Sequence, residues 1–202
     1  GDDLICYVND ENEYECKIDS MEKDFCECQI TKVEKCKAIP KKNITLFQMM
    51  PKRDYFDSIL PKAIELGVSE IYFFTSEFTI LKSFKRERVE SQIESACKQC
   101  ERSKKIVVND MIDFDLMLKK LGEYEIVIFA YEDETNSFDW QTLSSYNNIA
   151  VVIGNEAGFS DDEANKIKQV SIVKSVSLGT RILRCDTAVV ATLSLVGVMS
   201  KN

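Results

Sequence analysis

The chain has 202 residues, of which 45% are hydrophobic and 30% are charged, and its formal net charge is −8. This length and apolar content predict one or two domains with a sizeable core, and no segment is repeated or of low complexity. The longest apolar stretch, residues 188–199, is too short to span a bilayer and no secretory signal opens the chain, so we expect a soluble, cytoplasmic protein.

The first part of the chain, residues 4 to about 38, has the pattern of a small β module. Short segments of alternating polarity lie at residues 5–8, 14–18 and 25–33 and are separated by polar residues. Such alternation predicts antiparallel strands. Residues 38–43 form the predicted linker to the rest of the chain.

After this linker the hydrophobic period changes, and apolar strands alternate with amphipathic helices. Strands are predicted at residues 44–50, 71–74, 106–108, 125–130, 149–153 and 172–176. The first helix has apolar residues at i, i+3, i+4 and i+7 from Phe56 and ends at Gly67. Pro61 is expected to kink it or to divide it into two short helices. The alternation predicts an α/β architecture with a mainly parallel sheet.

Two glycine-bearing loops near the C-terminus carry the most information about function. The first follows strand 149–153 and reads G-N-E-A-G-F-S-D-D-E, in which Ser160 and Glu163 have the spacing of a capping box. The second reads S-L-G-T-R-I-L-R-C-D-T-A and enters helix 188–199, which is apolar on nearly every side. Glycine lets a backbone approach a bound molecule, so these loops predict a nucleotide-like ligand. Such a helix must be buried in the core or against a second subunit.

These loops resemble the signatures of the SPOUT class of ribosomal RNA methyltransferases. They are similar to the G-P-E-G-G-F-S-x-x-E and L-G-x-R-I-L-R-x-E-T-A of the family that methylates N3 of a uridine in small-subunit ribosomal RNA, the RsmE family. Residues 62–68 resemble its K-A-x-E-L-G-V block, and residues 96–102 its A-C-x-Q-x-x-R block. Residues 1–5, which begin with Gly1, resemble the G-D-E-I of its PUA-like RNA-binding module. The resemblance therefore spans the whole chain.

The chain departs from these signatures at a few positions. Asn155 replaces Pro, Ala157 a Gly, Cys185 a Thr and Asp186 a Glu. We expect the loops to keep their shape, since Asn tolerates unusual backbone angles and Asp keeps the carboxylate. Phe78 stands where the family's S-E-R block usually has Arg, so a basic RNA contact is expected to be missing there.

The resemblance also implies a domain organisation and partners. Residues 1–40 would form a PUA-like β module from which one or two strands are expected to be missing, and residues 44–202 a SPOUT domain with the trefoil knot of that class. S-adenosylmethionine would be the cofactor, and small-subunit (16S) ribosomal RNA or a partly assembled small subunit the substrate. The chain would form a homodimer and would have no membrane partner.

The cofactor residues that the resemblance implies lie in three loops. They are Phe129, Ala130 and Tyr131, then Gly154, Asn155, Glu156 and Gly158, and finally Leu178, Gly179, Ile182, Leu183, Arg184 and Thr187. Plain core packing is the alternative interpretation of Leu178, Ile182 and Leu183.

Methylation at uridine N3 sets requirements on the catalytic groups. N3 carries a proton and is a poor nucleophile, so a cation or amide donors at O2 or O4 must favour the deprotonated base while a carboxylate or water takes the proton. The chain has no His. Arg184 is the preferred cation, and Arg102 could act from the partner subunit or on a phosphate. Glu156 and Asp186 are the carboxylates, although each could equally cap a helix or tether a loop.

Although the chain is acidic overall, one region of it is basic. Residues 32–105 contain 16 Lys and Arg against 10 Asp and Glu, a balance of +6 that leaves −14 for the remainder. A local basic face can bind phosphates whatever the total charge. The predicted RNA contacts are Lys41, Lys42, Lys85, Arg86 and Arg102, and solvated helix faces are the alternative.

The eight cysteines do not have the spacing of a zinc site. The only close pairs are Cys26 with Cys28 and Cys97 with Cys100, and there is no His to complete such a site. We therefore expect reduced thiols without a metal.

Two other functions are compatible with the sequence. One is a non-catalytic RNA-binding or ribosome-assembly protein that retains the fold, which the substitutions at Asn155, Ala157 and Cys185 favour. The other is a SPOUT methyltransferase acting on another RNA, for example on transfer RNA or on a ribose hydroxyl. The PUA-like beginning and the K-A-x-E-L-G-V block argue against the second.

Overall fold

The computed structural model describes residues 2–135 and 137–202, so Gly1 of the PUA-like resemblance lies outside the described residues. The N-terminal part is an antiparallel sheet of β1 (Asp3–Cys6), β2 (Asn12–Met21) and β3 (Cys26–Lys35) in the order β1-β2-β3. The predicted antiparallel β module is confirmed. Residues 36–42 form an irregular connection, close to the predicted linker.

This small sheet has almost no core of its own. Cys16 is its one buried residue among those described, and most of its larger apolar side chains are more than half exposed. The sheet is anchored to residues 101–105 of the second part. Ser103 Oγ donates to the carbonyl of Asp10 at 2.7 Å, the Lys105 N–H donates to Asn9 Oδ1 at 2.9 Å, and Cys36 Sγ donates to the carbonyl of Glu101 at 3.2 Å.

The second part is built on a seven-stranded sheet in which every described pairing is parallel. Its strands are β4 (Asn43–Met49), β5 (Glu70–Thr75), β6 (Val107–Val108), β7 (Ile112–Asp113), β8 (Ile126–Ala130), β9 (Asn148–Ile153) and β10 (Val173–Val176). The order is β10-β8-β9-β4-β5-β6, and β7 pairs with the far end of β5. All the predicted strands are confirmed, whereas the two-residue β7 was not predicted.

Helices cover both faces of this sheet. They are α1 (Arg53–Glu65), α2 (Arg86–Gln99), α3 (Phe114–Leu121), α4 (Asp161–Lys168) and α5 (Cys185–Ser200), together with a 3-10 helix, Trp140–Ser145. One core contains α1, α2, α5 and the 3-10 helix, and the other contains α3 and α4. Strand β9 is buried on both faces, as its uninterrupted apolar run predicts.

Helix α1 passes through Pro61 without interruption, so the prediction that Pro61 divides it into two helices is wrong. Proline has no N–H, which removes one hydrogen bond of the helical ladder. The neighbouring Ile59, Leu60 and Ala63 are completely buried, and this packing offsets the loss. The helix ends as predicted before Gly67, which has a φ of +85°.

Among the residues that the structure describes, no helix is long and apolar enough to cross a membrane.

Candidate active site

A cavity of about 400 Å³ lies at one end of the parallel sheet. Strands β10, β8 and β9 are neighbours there, and the loops that follow them form the cavity walls. The carboxyl edge of a parallel sheet is the usual place for a ligand. The lining residues are Tyr55, Ala130, Tyr131, Glu132, Ile153, Gly154, Asn155, Glu156, Ala157, Gly158, Leu178, Gly179, Arg181, Ile182, Leu183, Arg184, Cys185 and Ala188.

The loop after β9 is closed by its own side chains. Asn155 Oδ1 accepts a hydrogen bond from the Ala157 N–H at 2.9 Å, and its Nδ2 donates to the Met50 carbonyl at 3.3 Å. Gly158 has a φ of +71°, and a Cβ there would lie 2.9 Å from Glu132 Oε1. The loop thus needs glycine at 158 for its positive φ, and the side-chain amide of Asn155 closes the turn, as expected from the sequence.

The same loop is fixed to α4 by the predicted capping box, which is confirmed. The Glu163 N–H donates to Ser160 Oγ at 3.4 Å, and the Ser160 N–H donates to Glu163 Oε2 at 3.1 Å. Glu163 Oε1 also accepts a hydrogen bond from the Glu77 N–H at 3.0 Å. This buried carboxylate therefore connects the start of α4 to the turn that follows β5.

The loop after β10 is open towards the cavity. Gly179 has a φ of +110° and has nothing within 4 Å of its would-be Cβ. Ile182 is 92% exposed, so core packing is the wrong interpretation of this residue. Leu178 and Leu183 are partly buried and line the cavity. Arg184 is the exposed N-cap residue of α5, and its guanidinium has no hydrogen-bond partner among the described residues.

The cavity wall carries charges of both signs and one protonated thiol. Glu132, Glu156, Arg181 and Arg184 all line the cavity. Burial, together with the carboxylates of Glu156 and Asp186, raises the pKa of Cys185 to about 12. Cys185 is therefore a neutral wall residue at physiological pH, because the thiolate rather than the thiol is the nucleophile.

Asp186 points away from the lining and is paired with α1. Its Oδ2 accepts hydrogen bonds from Lys62 Nζ at 3.1 Å and from Ser58 Oγ at 3.3 Å. Burial alone would raise the pKa of Asp186, but the hydrogen bond and charge of Lys62, together with hydrogen bonds from Ser58 and the Thr187 N–H, outweigh it and keep that pKa below its usual value. This arrangement favours the tethering role over proton acceptance.

Two predicted cofactor residues do not line the cavity. Phe129 is completely buried, with its ring 5.4 Å from that of Tyr131 and 5.1 Å from that of Phe159. Its side chain belongs to the core below the cavity. Thr187 is exposed on the first turn of α5, outside the lining.

The predicted catalytic and RNA-binding role of Arg102 is wrong, because the side chain is buried and bound to backbone carbonyls. Arg102 is 5% exposed, and its Nη1 donates to the carbonyls of Val68 at 2.6 Å and Ile64 at 3.4 Å. Its Nε donates to the Lys104 carbonyl at 2.9 Å. A guanidinium surrounded by backbone carbonyls holds the 101–105 segment in place and is not available to a phosphate or a base.

The other predicted RNA contacts divide into two kinds. Lys42 Nζ donates to the carbonyls of Ser144 and Tyr146 and to Asn147 Oδ1, so it tethers the segment before β9. Arg86 is bound to the Val108 carbonyl and to Asp110. Lys42 and Arg86 therefore stabilise the fold, and the prediction that they contact RNA phosphates is wrong. Lys41 and Lys85 are exposed and remain candidate phosphate contacts.

The sequence interpretation missed several cavity residues. Glu132, Arg181 and Ala188 adjoin predicted residues, so a wider window around each loop would have included them. Tyr55 comes from the first turn of α1, and no sequence signal links it to loops that lie far along the chain. Only the fold brings it to the cavity.

Comparison with known proteins identifies the type of domain. Residues 38–197 match a family model described as an RNA methyltransferase domain. This match covers the parallel sheet and the whole cavity, and it begins just after the N-terminal β module.

Relatives with known names agree with this match. The chain is 26% identical to ribosomal RNA small subunit methyltransferase E of Bacillus subtilis, over 97% of this chain and 81% of that protein. It is 31% identical to the protein of the same name from Buchnera aphidicola subsp. Acyrthosiphon pisum, over 85% of this chain and 71% of that protein. A crystal structure of the Neisseria gonorrhoeae ribosomal RNA small subunit methyltransferase E bound to S-adenosyl methionine superimposes with a TM-score of 0.84 and 25% identity, covering 98% and 83% of the two chains.

Proposed function

The chain belongs to the family of RNA methyltransferases that includes ribosomal RNA small subunit methyltransferase E, and we propose that it transfers a methyl group from S-adenosylmethionine to N3 of a uridine in 16S ribosomal RNA. The observation that carries this proposal is the cavity formed by three adjacent loops at the carboxyl edge of the sheet. The loops lie within the matched domain, and a relative of the same fold binds this cofactor.

The cavity fits S-adenosylmethionine in size and charge. Its volume of about 400 Å³ lies in the range of sites for molecules of this size. Arg181 suits the carboxylate of the methionine part, and Glu132 suits its amino group or the ribose hydroxyls. Leu178 and Leu183 offer apolar contacts to the adenine. When bound, this cofactor supplies an activated methyl group on a sulfonium.

Arg184 and Glu156 would prepare the uridine. The guanidinium of Arg184, exposed at the rim, would stabilise the negative charge that develops on O2 or O4 as N3 loses its proton. The Glu156 carboxylate would accept that proton. The Lys52 N–H donates to Glu156 Oε1 at 2.9 Å and holds the carboxylate at the cavity wall. Glu156 is a better acceptor than Asp186, which is paired with Lys62.

The wider assembly is part of the same proposal. Lys41 and Lys85 would contact RNA phosphates, and the N-terminal sheet would act as the PUA-like RNA-binding module. Helix α5 would join two chains into a homodimer, since Val198 on its outer side is 72% exposed. We also propose the trefoil knot for the C-terminal segment, and the cytoplasm, where ribosomal RNA is modified, as the location.

Tritiated methyl transfer to 16S ribosomal RNA, and to partly assembled small subunits, tests the proposal, with the modified nucleotide identified by mass spectrometry. We expect one 3-methyluridine per RNA. A methyl group on a ribose oxygen, or no transfer to either substrate, would show that the proposal is wrong. The non-catalytic alternative is not favoured, because Asn155 closes the cofactor loop in place of proline.

A further inference from the structure

A second, smaller recess lies next to the cofactor cavity. Its volume is about 130 Å³, and it shares Asn155, Glu156 and Ala157 with the cavity, so one loop forms a wall of both. The remaining lining residues are Met50, Pro51, Lys52, Phe78, Ile80 and Leu81. The recess thus combines apolar side chains with the charged Lys52 and Glu156, and Glu156 is shared with the proposed reaction centre.

Two large apolar side chains of this recess are exposed to solvent. Phe78 is 43% exposed and Ile80 is 74% exposed, although the floor beneath them, formed by Met50 and Pro51, is buried. Large apolar side chains that are exposed together at the edge of a recess are typical of an interaction surface.

The backbone that carries Phe78 is a clamped turn. The Thr79 N–H donates to the Ser76 carbonyl at 3.2 Å, and the Ser76 N–H donates to Thr79 Oγ1 at 2.9 Å. The N–H of Glu77, at the corner of the turn, donates to Glu163 Oε1 at 3.0 Å. Thr79 and Glu163 are both buried. The ring is therefore presented by a fixed corner, which lowers the entropy cost of binding.

Lysines outnumber carboxylates around this apolar surface. Lys52 and Glu156 line the recess, Glu77 is exposed beside it, and Lys82 and Lys85 follow along the chain with exposed side chains. If an apolar segment of another protein occupied the recess, it would offer no partner to the lysine ammonium groups. A nucleotide has a flat base for the ring and a phosphate for the lysines, so a single-stranded RNA segment fits this combination.

We propose that Phe78 is a stacking platform for an unpaired base next to the reacting uridine, with Ile80 against its sugar and Lys52 or Lys85 at its phosphate. This inference rests on the proposed function. N3 lies on the pairing edge of uracil, so the target must be unpaired before it can be methylated, and its neighbours are then free to leave the stack. Phe78 would thus help to position the substrate without touching the reacting atoms.

Fluorescence anisotropy with a labelled single-stranded RNA around a central uridine tests this inference. We expect Phe78→Ala to raise Kd about tenfold, as loss of one base–aromatic stack typically does, and Phe78→Trp to retain binding. The matched control is Leu116→Ala on α3, because Leu116 is 41% exposed and lies outside both recesses. This control should bind RNA like the wild type.

An RNA with an abasic site beside the uridine separates stacking from a general loss of affinity. With this RNA the wild type and Phe78→Ala should bind equally weakly. If Phe78→Ala binds the intact RNA like the wild type, or loses the same factor on both RNAs, the inference is wrong. Calorimetry with S-adenosylmethionine and the methyl-transfer assay of the wild type report separately on the proposed function, because neither requires Phe78.

Discussion

Two residues of the cavity loop differ in whether another residue type can take their place without changing the loop. Asn155 closes its loop with two side-chain hydrogen bonds, one to Ala157 and one to Met50. Gly158 cannot be replaced in the same way, because its φ of +71° is a backbone conformation that residues with a side chain rarely adopt. Substitution is tolerated where a side chain can replace a backbone constraint, and not where the backbone conformation itself requires glycine.

Gly179→Trp should abolish cofactor binding. The indole would project from a residue with a φ of +110° that lies in the cavity lining, where it would occupy the ligand's space. Isothermal calorimetry with millimolar S-adenosylmethionine measures this, and Gly122→Ala at the end of α3 serves as the control with wild-type binding. Unaltered affinity in Gly179→Trp would contradict the assigned site.

Arg184→Ala should lower methyl transfer by roughly a hundredfold or more while S-adenosylmethionine binding and the fold are retained. A cation that stabilises a developing oxyanion acts mainly in the transition state, and loss of such a group typically has an effect of this size. Single-turnover methyl transfer compares the variant with the wild type. A wild-type rate would contradict the assigned role.

Cys185 should resist alkylation at a pH at which exposed thiols react. Its pKa is raised to about 12, chiefly by burial, so the thiolate is scarce at pH 9, where an ordinary thiol is about half ionised. Iodoacetamide labelling followed by peptide mapping should therefore modify the exposed Cys26 first. Equal rates at the two cysteines would exclude the buried, protonated state of Cys185.

Secondary-structure elements depend on tethers that are distant in sequence. Lys42 fixes the segment between the 3-10 helix and β9, and Arg102 fixes the segment on which the N-terminal sheet docks. Both side chains belong to the basic region of the chain, yet their donors are directed at backbone carbonyls. Basic composition therefore does not distinguish an RNA contact from a structural tether.

Neighbouring lysines in the connection before β4 should behave differently. Lys42→Ala should lower the free energy of unfolding by about 1 kcal/mol, because it removes a charged donor from two carbonyls and an amide oxygen. Lys41→Ala should change stability little, but should weaken RNA binding modestly and flatten its salt dependence. Urea unfolding and salt-dependent anisotropy measure the two effects. Loss of stability in Lys41→Ala together with loss of RNA binding in Lys42→Ala would contradict both assignments.

The elements that sequence patterns predict are those determined locally. The apolar run of β9, the capping box of α4 and the end of α1 before Gly67 are all set within a few residues. The continuity of α1 through Pro61, the burial of Arg102 and the place of Tyr55 in the cavity depend on contacts between distant segments. The three loops were predicted because a resemblance over the whole chain supplied what local patterns lack.

At the scale of the whole molecule, two parts differ in how they are stabilised. The parallel sheet has a core on each face, whereas the N-terminal sheet relies on its strand pairing and on its contacts with residues 101–105. The buried guanidinium of Arg102 supports that docking segment from inside. The orientation of the N-terminal sheet is thus determined by the larger part.

Val198→Glu should convert the proposed dimer into monomers. Val198 is 72% exposed on the outer side of α5, and a two-fold interface uses the same surface of both chains, so each substitution would bury two charges in the apolar contact. Light scattering at tens of micromolar measures the mass, and Leu116→Glu is the control at another exposed apolar position. A wild-type chain that is already monomeric would count against the proposed dimer.

The loop of residues 155–157 has two sides, since it forms a wall of the large cavity and of the recess beside Phe78. If the two ligands favour the same arrangement of this loop, their binding is thermodynamically linked. Any factor by which the methyl donor tightens RNA binding must equal the factor by which RNA tightens donor binding. Residues 155–157 are then the segment of the fold through which the donor site and the RNA site are coupled.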